Sequence, residues 1–440
     1  MVGQGFSYTH VVPFRPPSRP LAILGVAALA IAACSGGSSP APSTTSAPTT
    51  TQAPTVDNGI LELGIILPRG GAGAELGQGL NDGADLAVSE INAVGGTNGS
   101  VIRRIVREEG STPAEAATAM QELLDLGVDA IIGPASSNST LAVLEQAVDA
   151  GVVVCSPSAS ALALDDFPDD GLFFRTIASD SLQARAIAQG VDRTGTRSAA
   201  IALIDDAYGR PLGAAVASAL KALGIEVSVT VPFTSKESSL ASGAAAIATD
   251  SPAVVVVIGD ATTGPAMITA IDLAVTELGD ANSTPSYLVN DAMRRPAATV
   301  QPYSPDLAQR ITGVSPLSNV DNTRFNDDLE QIDPTTTGLY AANAYDCVNI
   351  IALASIAAGS NAPARFSSSI VAVTVNGSSC DRFSACQAEL ESGLNIDYDG
   401  PSGLLSLNGQ GDRDASVFEL FGFDDSGRDV SLGRLQIASG

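Results

Sequence analysis

From Ile60 to Leu278 the chain alternates short apolar runs with amphipathic stretches, and that rhythm leaves few folds open to it. Ile60–Leu67 has the length of a buried strand. Glu75–Ala93 then sets Leu76, Leu80, Ala84, Ala87, Val88 and Ile91 at helical spacing. Val101–Arg107, Val128–Gly133 and Val152–Cys155 read as further strands, separated by helices over Pro113–Leu126 and Ser139–Ala150. The rhythm restarts with a helix over Ser181–Val191, a strand over Ala199–Ile204 and a helix over Gly209–Leu223. Strand Ile225–Val231, helix Leu240–Thr249, the Val/Ile strand Val254–Ile258 and helix Gly264–Leu278 continue it. A parallel strand pair needs a helix-length crossover, so this alternation predicts parallel sheets with helices on both faces. Two such series predict an α/β protein of two Rossmann-like lobes. Beyond Tyr340 come Ala-rich helical stretches, then short strands divided by turn residues at Asn408 and Gly409 and at Asp425, Ser426 and Gly427. Lobes of this kind bind ligands outside the C-terminal ends of their strands.

Charge narrows the function. Of 440 residues, 45% are apolar and 16% charged, enough to bury a substantial core. Basic residues number 22 against 48 acidic, a net charge of -26 that repels phosphate backbones and anionic headgroups. No nucleic-acid partner is expected. The one histidine, His10, lies in a segment expected to be removed. That excludes Ser-His-Asp and Cys-His nucleophiles and His-ligated metals, so no catalytic residue is assigned.

The removable segment has a definite form. Arg15 and Arg19 precede the thirteen-residue apolar run Leu21–Ala33, which is too short to span a bilayer. Ile31, Ala32 and Ala33 followed by Cys34 resemble a bacterial lipobox, which implies a signal peptide over 1–33 and an acylated Cys34. Two or three acyl chains suffice for stable anchoring, here at the outer face of the cell membrane. Residues 35–55 hold eleven Ser/Thr, four Pro and no charge. They read as a flexible tether, assigned with Cys34 to 34–57.

A family resemblance then appears. Gly83 to Asn92 with Gly95, Gly96, Asn98 and Gly99 looks like the first helix of the branched-chain amino-acid binding proteins of ABC importers. Collinear matches follow at Gly127–Pro134, Ser136 and Ser137, Ser156–Ser160, Phe174–Thr176, Ser179 and Asp180, and Tyr208 and Gly209. Tyr345 and Asp346, then Gly403, Leu404, Gly409, Gly411 and Asp412, complete the series. The resemblance implies a type I periplasmic-binding-protein fold whose two lobes, joined by three crossings, close on a small solute. The crossings would fall near 176, 314 and 394, giving lobe 1 over 58–176 and 315–394 and lobe 2 over 177–314 and 395–440. It further implies a monomeric, non-enzymatic receptor with an ABC permease as partner, or a sensor of the same fold.

Each candidate contact has a plainer alternative. Ser136 and Ser137 stand between a strand and a helix, where N–H groups and hydroxyls suit a carboxylate; simple capping by Asn138 or Ser139 is the alternative. Ser158, Ala159 and Ser160 match the segment that holds substrate carboxylate and amine in the family, or form a polar turn after Pro157. Tyr208 follows a second-lobe strand and either meets the ligand or packs at a helix start. Asp291, after the Tyr287–Asn290 strand, matches an acid that takes the ligand ammonium in similar proteins; Asp205, Asp206 and Asp260 are the other acids available for a cation. Leu76 and Ala261 stand where the family often has aromatic pocket walls, which leaves the ligand's identity open.

Other signals carry less. Gly71, Gly73 and Gly77 have GxGxxxG spacing, not the GxGxxG of a dinucleotide loop, and no P-loop is present, so no cofactor is expected. Asn408–Asp414 lacks the terminal Glu of a calcium loop, and the cysteines form no CxxC pair, so no metal is expected. Cys380 and Cys386 are spaced for a local disulfide in an oxidising compartment. Cys155 and Cys347 are either buried thiols or a second bridge.

Overall fold

A computed structural model describes residues 57–70, 73–278, 284–294, 303–317, 322–336 and 338–438. The signal segment, Cys34 and residues 35–56 lie outside the described residues. The described chain is already tied down at Asp57, whose carboxylate accepts a hydrogen bond from the Ser360 hydroxyl at 2.6 Å.

The first lobe is built on a parallel sheet of β1 (Glu62–Leu67), β2 (Arg103–Glu108), β3 (Ala130–Ile132), β4 (Val153–Ser156) and β5 (Phe173–Arg175), in the order β2-β1-β3-β4-β5. Between the strands run α1 (Ala74–Ala93), α2 (Pro113–Asp125) and α3 (Ser137–Asp149). Side-chain alternation divides the core into two layers. Leu63, Ile65, Ala130, Ile132, Val153 and Cys155 share one cluster; Ile66, Ile131 and Val154 join the other, with α2 and α3. Helix α2 opens on a reciprocal capping box formed by Thr112 and Glu115, with Pro113 in its first turn.

The second lobe begins with α4 (Asp180–Asp192). It continues through β6 (Ser198–Ile204), α5 (Gly209–Ala222), β7 (Glu226–Phe233), α6 (Glu237–Asp250), β8 (Val254–Ile258), α7 (Thr263–Glu277), β9 (Ser286–Val289), the short α8 (Pro305–Ala308) and β10 (Ile311–Pro316). Strand β8 is buried on both faces, which is why its sequence is an unbroken Val/Ile run.

The chain then returns to lobe 1 as α9 (Thr323–Ile332), α10 (Ala341–Ala358), α11 (Pro363–Phe366), β11 (Ser378–Cys380), α12 (Phe383–Glu391) and β12 (Ile396–Tyr398). It ends in lobe 2 with β13 (Ala415–Phe423) and β14 (Asp429–Ala438). These two strands form an antiparallel hairpin turned at Asp425–Gly427 and complete the sheet β14-β13-β10-β9-β8-β6-β7. Helix α10 is long and apolar, but its side chains are buried in lobe 1. It packs so closely on α1 that a Cβ at Gly83 would lie 2.0 Å from the Ala341 carbonyl oxygen.

Two of the crossings come later than 314 and 394. Val314, Ser315 and Pro316 still pair with β13 in the second-lobe sheet, and the Leu317 N–H donates to the Val417 carbonyl at 2.8 Å, so the second crossing lies beyond Leu317. Residues 396–398 pair with β11 beside the first lobe's helices, so the third crossing runs over 399–414. The sequence contains no breaker at Leu394 or Asn395 that would end the lobe there. Arg413 ties the first crossing to the third: Nη1 donates to the Thr176 carbonyl at 2.9 Å and Nη2 to that of Ser402 at 3.3 Å.

Both cysteine pairs are disulfides. Cys380–Cys386 holds β11 against α12, with Cα atoms 5.5 Å apart. Cys155–Cys347 joins β4 to α10 across 192 residues of chain, 5.7 Å between Cα atoms.

Candidate functional site

At the C-terminal end of β3, Gly133 takes φ +99°, a conformation few other residues adopt, and a Cβ there would lie 1.9 Å from the Ile66 carbonyl oxygen. The turn delivers Ala135 and Ser136 to the start of α3. Their N–H groups donate to the carboxylate of Glu109 at 2.8 and 3.0 Å. Glu109 is buried at the end of β2, and desolvation raises its pKa to about 6 against the pull of those bonds. The helix starts two residues earlier than the sequence suggests, with Ser136 in the N-cap position and Glu109 holding the two N–H groups that lead into it. Asn138 and Ser139 are inside the helix.

The candidate serines separate into two groups. Ser136 is exposed, with its backbone N–H committed to Glu109, and the Ser158 hydroxyl donates to the Ala135 carbonyl at 2.9 Å. Both act inside lobe 1. The Ala159 side chain is part of the lobe 1 core. The Ser137 hydroxyl oxygen accepts from the Ala161 N–H at 3.2 Å, leaving its hydrogen to donate. The Ser160 carbonyl accepts from the Asp180 N–H at 2.8 Å, a bond that joins the two lobes. The bonds given for Ser136, Ser137 and Ser158 lie within lobe 1, and Ser160 makes a backbone bond to the second lobe.

From the second lobe, Asp291 follows β9 in a short 3-10 turn and is 8% exposed. Its Oδ1 accepts from Gln183 Nε2 at 2.6 Å, and its Oδ2 from the Tyr340 hydroxyl at 2.8 Å. Tyr340 immediately precedes α10, so this second bond also crosses between lobes. Tyr208, at the start of α5, packs against the cores of both lobes, and its hydroxyl oxygen accepts from Asn290 Nδ2 at 2.9 Å. The alternatives to Asp291 are occupied elsewhere. Asp205 pairs with Arg210, Asp206 accepts from the Tyr208 and Gly209 N–H groups, and Asp260 from those of Thr262 and Thr263.

Asp180, one of the collinear family matches, is a residue to which the sequence assigned no ligand contact. It is the first residue of α4, fully buried, and neither carboxylate oxygen has a hydrogen-bond partner among the described residues. Burial raises its pKa to about 8, and the neighbouring Asp291 adds to the rise; only the nearby Ser160 hydroxyl and the charge of Arg175 oppose it. Burial likewise raises Asp291, against the hydrogen bonds of Gln183 and Tyr340. The Gln183 Oε1 is also buried and unpartnered. A polar Asp180–Gln183 pair one turn apart on a helix whose other buried residues are apolar was the signal available.

Two α/β lobes joined by three strands of chain, with unsatisfied polar groups on the surfaces where they meet, define a protein that binds a solute between domains. The comparisons place it. Residues 61–422 match the family described as periplasmic binding protein, and the chain belongs to that family. It is 29% identical over 169 residues to a Leu/Ile/Val-binding protein of Rhizobium johnstonii, covering 38% of this chain and 45% of that one. The chain thus spans less than half the length of that relative. A chemotactic signal transduction system substrate-binding protein of Halobacterium salinarum is 27% identical over 360 residues, 78% of this chain and 83% of that one. Among solved structures, the isoleucine complex of a branched-chain amino acid transporter substrate binding protein from Streptococcus pneumoniae superimposes with TM-score 0.68. It has 21% identity and covers 86% of this chain and 99% of that one. The fold is that of a type I periplasmic binding protein, extracytoplasmic by family.

Proposed function

We propose that this chain is the solute receptor of an ABC importer, taking an amino-acid-like solute between its lobes. The observation that carries the reading is Asp180, a fully buried carboxylate at the lobe junction with no partner, beside Asp291. Native proteins pair such groups, so the missing partner is a cation that arrives with the ligand. In this reading the ammonium rests on Asp291 and Asp180, and a ligand carboxylate on the hydroxyls of Ser137 and Ser160. Tyr208 closes from the second lobe. Lobe closure then presents to a permease the form it recognises. The Leu/Ile/Val-binding relative supports an amino-acid-like solute. A monomer tethered to the membrane through acylated Cys34 completes the proposal; Cys34→Ser should release a folded protein from membranes, and retention after a carbonate wash would refute the anchor.

Mass spectrometry of whatever solute co-purifies, released by mild denaturation, tests the reading directly. A primary or secondary amine is the expected product; a solute with no cationic nitrogen would overturn it. A sensory role is the second reading, favoured by the chemotactic relative that aligns over most of both chains. Solute uptake by vesicles carrying the cognate permease, dependent on this protein, separates the two.

A further inference from the structure

The residue ahead of α10 has a strained backbone. Tyr340 takes φ +54° and ψ 12°, the left-handed region that a bulky aromatic residue rarely adopts. Its neighbours hold it there. A Cβ at Gly79 would lie 2.6 Å from the Leu339 carbonyl oxygen, and one at Gly83 2.0 Å from that of Ala341. Both glycines belong to α1, so the backbone on either side of Tyr340 lies directly on that helix and packing fixes the turn between. Strain over-determined in this way recurs at ligand clamps and switch regions.

What the strained turn sets is a direction. The Tyr340 ring is part of the lobe 1 core, yet its hydroxyl donates to Asp291 Oδ2, in lobe 2, at 2.8 Å. The buried Ser315 hydroxyl, on β10 of lobe 2, lies beside the same tyrosine oxygen. Asp291 is therefore gripped from both sides: Gln183 donates to Oδ1 from its own lobe at 2.6 Å, and Tyr340 to Oδ2 from the other. A carboxylate oxygen can accept more than one bond, so neither donor closes the acid to a further one. The Tyr340 bond is made by side chains of the protein itself, and it can form only while lobe 1 rests on lobe 2.

We propose that Tyr340 is a clasp: through Asp291 it keeps a closed form populated in the solute-free chain. Part of the closure is then prepared before a solute arrives, and less is left for the solute to drive. Asp180 pulls the other way, because opening the lobes would return its unpartnered carboxyl to water. The clasp offsets that pull. Its bearing on solute capture rests on the receptor reading above; the clasp itself does not.

Single-molecule energy transfer tests it with no solute present. Dyes are coupled to non-natural amino acids placed at two exposed positions, 126 in lobe 1 and 236 in lobe 2, leaving the cysteines untouched. The full chain is dialysed exhaustively before measurement. Tyr340→Phe keeps the ring in the core and removes only the hydroxyl. The parent should show a closed population, and the closed-to-open ratio should fall about fivefold or more in the variant, as for the loss of one buried hydrogen bond. Tyr345→Phe is the control, since the Tyr345 hydroxyl bonds Glu90 within lobe 1, and it should match the parent. A parent with no closed population, an unchanged ratio in Tyr340→Phe, or an equal shift in Tyr345→Phe would each overturn the clasp. Failure of the receptor reading would show instead as a co-purifying solute without an amine, and would leave these distances as they are.

Discussion

Two sets of acids near the lobe junction are treated in opposite ways. At the hinge, Asp165 and Asp412 converge on Arg175, which has no exposed surface and whose donors all point at acceptors. In the cleft, Asp180 and Asp291 share no internal cation among the described residues, and no hydrogen bond to either Asp180 carboxylate oxygen is seen among them. Burial raises Asp412 too, but there Arg175 opposes the rise by charge and hydrogen bond; at Asp180 the larger neighbouring influence is another acid. The hinge set is complete without a ligand and serves the fold. Under the proposed function the cleft set is completed by a solute, which would relieve its cost to the empty protein.

The sharpest way to break this contrast is at its paired side. Arg175→Met would leave two carboxylates facing each other without their counter-ion in the crossing region. Removing one partner of a buried set costs ~3–5 kcal/mol, the largest effect expected, and urea denaturation should register it as a lowered midpoint. A loss below ~1 kcal/mol would mean that the hinge acids do not depend on Arg175.

The unpaired side should respond in binding instead. Asp291→Asn removes a desolvated carboxylate proposed to face the ligand cation, a change that costs ~2–5 kcal/mol of affinity. That is roughly 30-fold or more. Without ligand the variant should melt no lower than the parent, because Gln183 and Tyr340 still have an oxygen to donate to or a new partner to find. Calorimetric titration with the co-purifying solute within threefold of the parent would remove Asp291 from the site.

How much of this was legible follows from what each feature depends on. The lobes were legible because alternation is local: Val254–Ile258 has to be a strand buried on both faces, and Leu63, Ile65 and Ile66 announce two core layers. Asp291 and Tyr208 were found by family pattern, and the structure brings them to one place. Ser136 and Ser158 were not separable from Ser137 and Ser160 in sequence, since what distinguishes them is a carboxylate from another strand, Glu109, and a carbonyl across the turn. Asp180 was hidden for the opposite reason. An acid at a helix N-terminus ordinarily reads as favourable to the dipole, and only the packing of the other lobe over it turns it into a buried orphan. The third crossing was misplaced because Ile396–Tyr398 is a three-residue strand whose partner, Ser378–Cys380, is as short and no more apolar than a loop.

Asp180→Asn sharpens the comparison through pH. The carboxyl has an ordinary value of 3.8 and is raised to about 8 in the folded protein. Between those limits the folded state holds a proton that the unfolded chain has released, so stability falls as pH rises through the window. Above about 8 the loss is complete. Asn has no proton to lose. Glu109, Asp129 and Asp346, raised to about 6, 7 and 7, drift in the same direction in both proteins. The difference between parent and variant therefore isolates Asp180 in the setting of Asp291, Asp165, Arg175 and Tyr208, the charged and titratable groups around it. Ligand-free Asp180→Asn should melt higher than the parent, by an amount that grows from pH 5 to 8.5 and reaches ~1–3 kcal/mol, the ordinary cost of a buried unsatisfied polar group. A gap independent of pH would place Asp180 in water.

The smallest effect is expected where a carboxylate belongs to neither set. Asp328 lies on α9 and pairs with Arg324 at 3.3 Å, one turn away, with the two side chains 30% and 51% exposed. Arg324 has a second acid, Glu90, at 3.1 Å, so losing Asp328 leaves the cation neither buried nor alone. Exposed helical pairs of this spacing contribute ~0.3–0.5 kcal/mol and weaken further with salt. Asp328→Asn should accordingly shift unfolding by no more than ~0.5 kcal/mol and leave solute affinity within threefold, by the same urea and calorimetric measurements. It removes the same charge as Asp291→Asn from the same acidic protein. If it weakened binding as much, the long-range field of the surface, not the carboxylates at the lobe junction, would be what selects the solute. If it does not, the distinction between the cleft and the rest of the molecule rests on burial and the absence of a partner, the two properties in which Asp180 and Asp328 differ most.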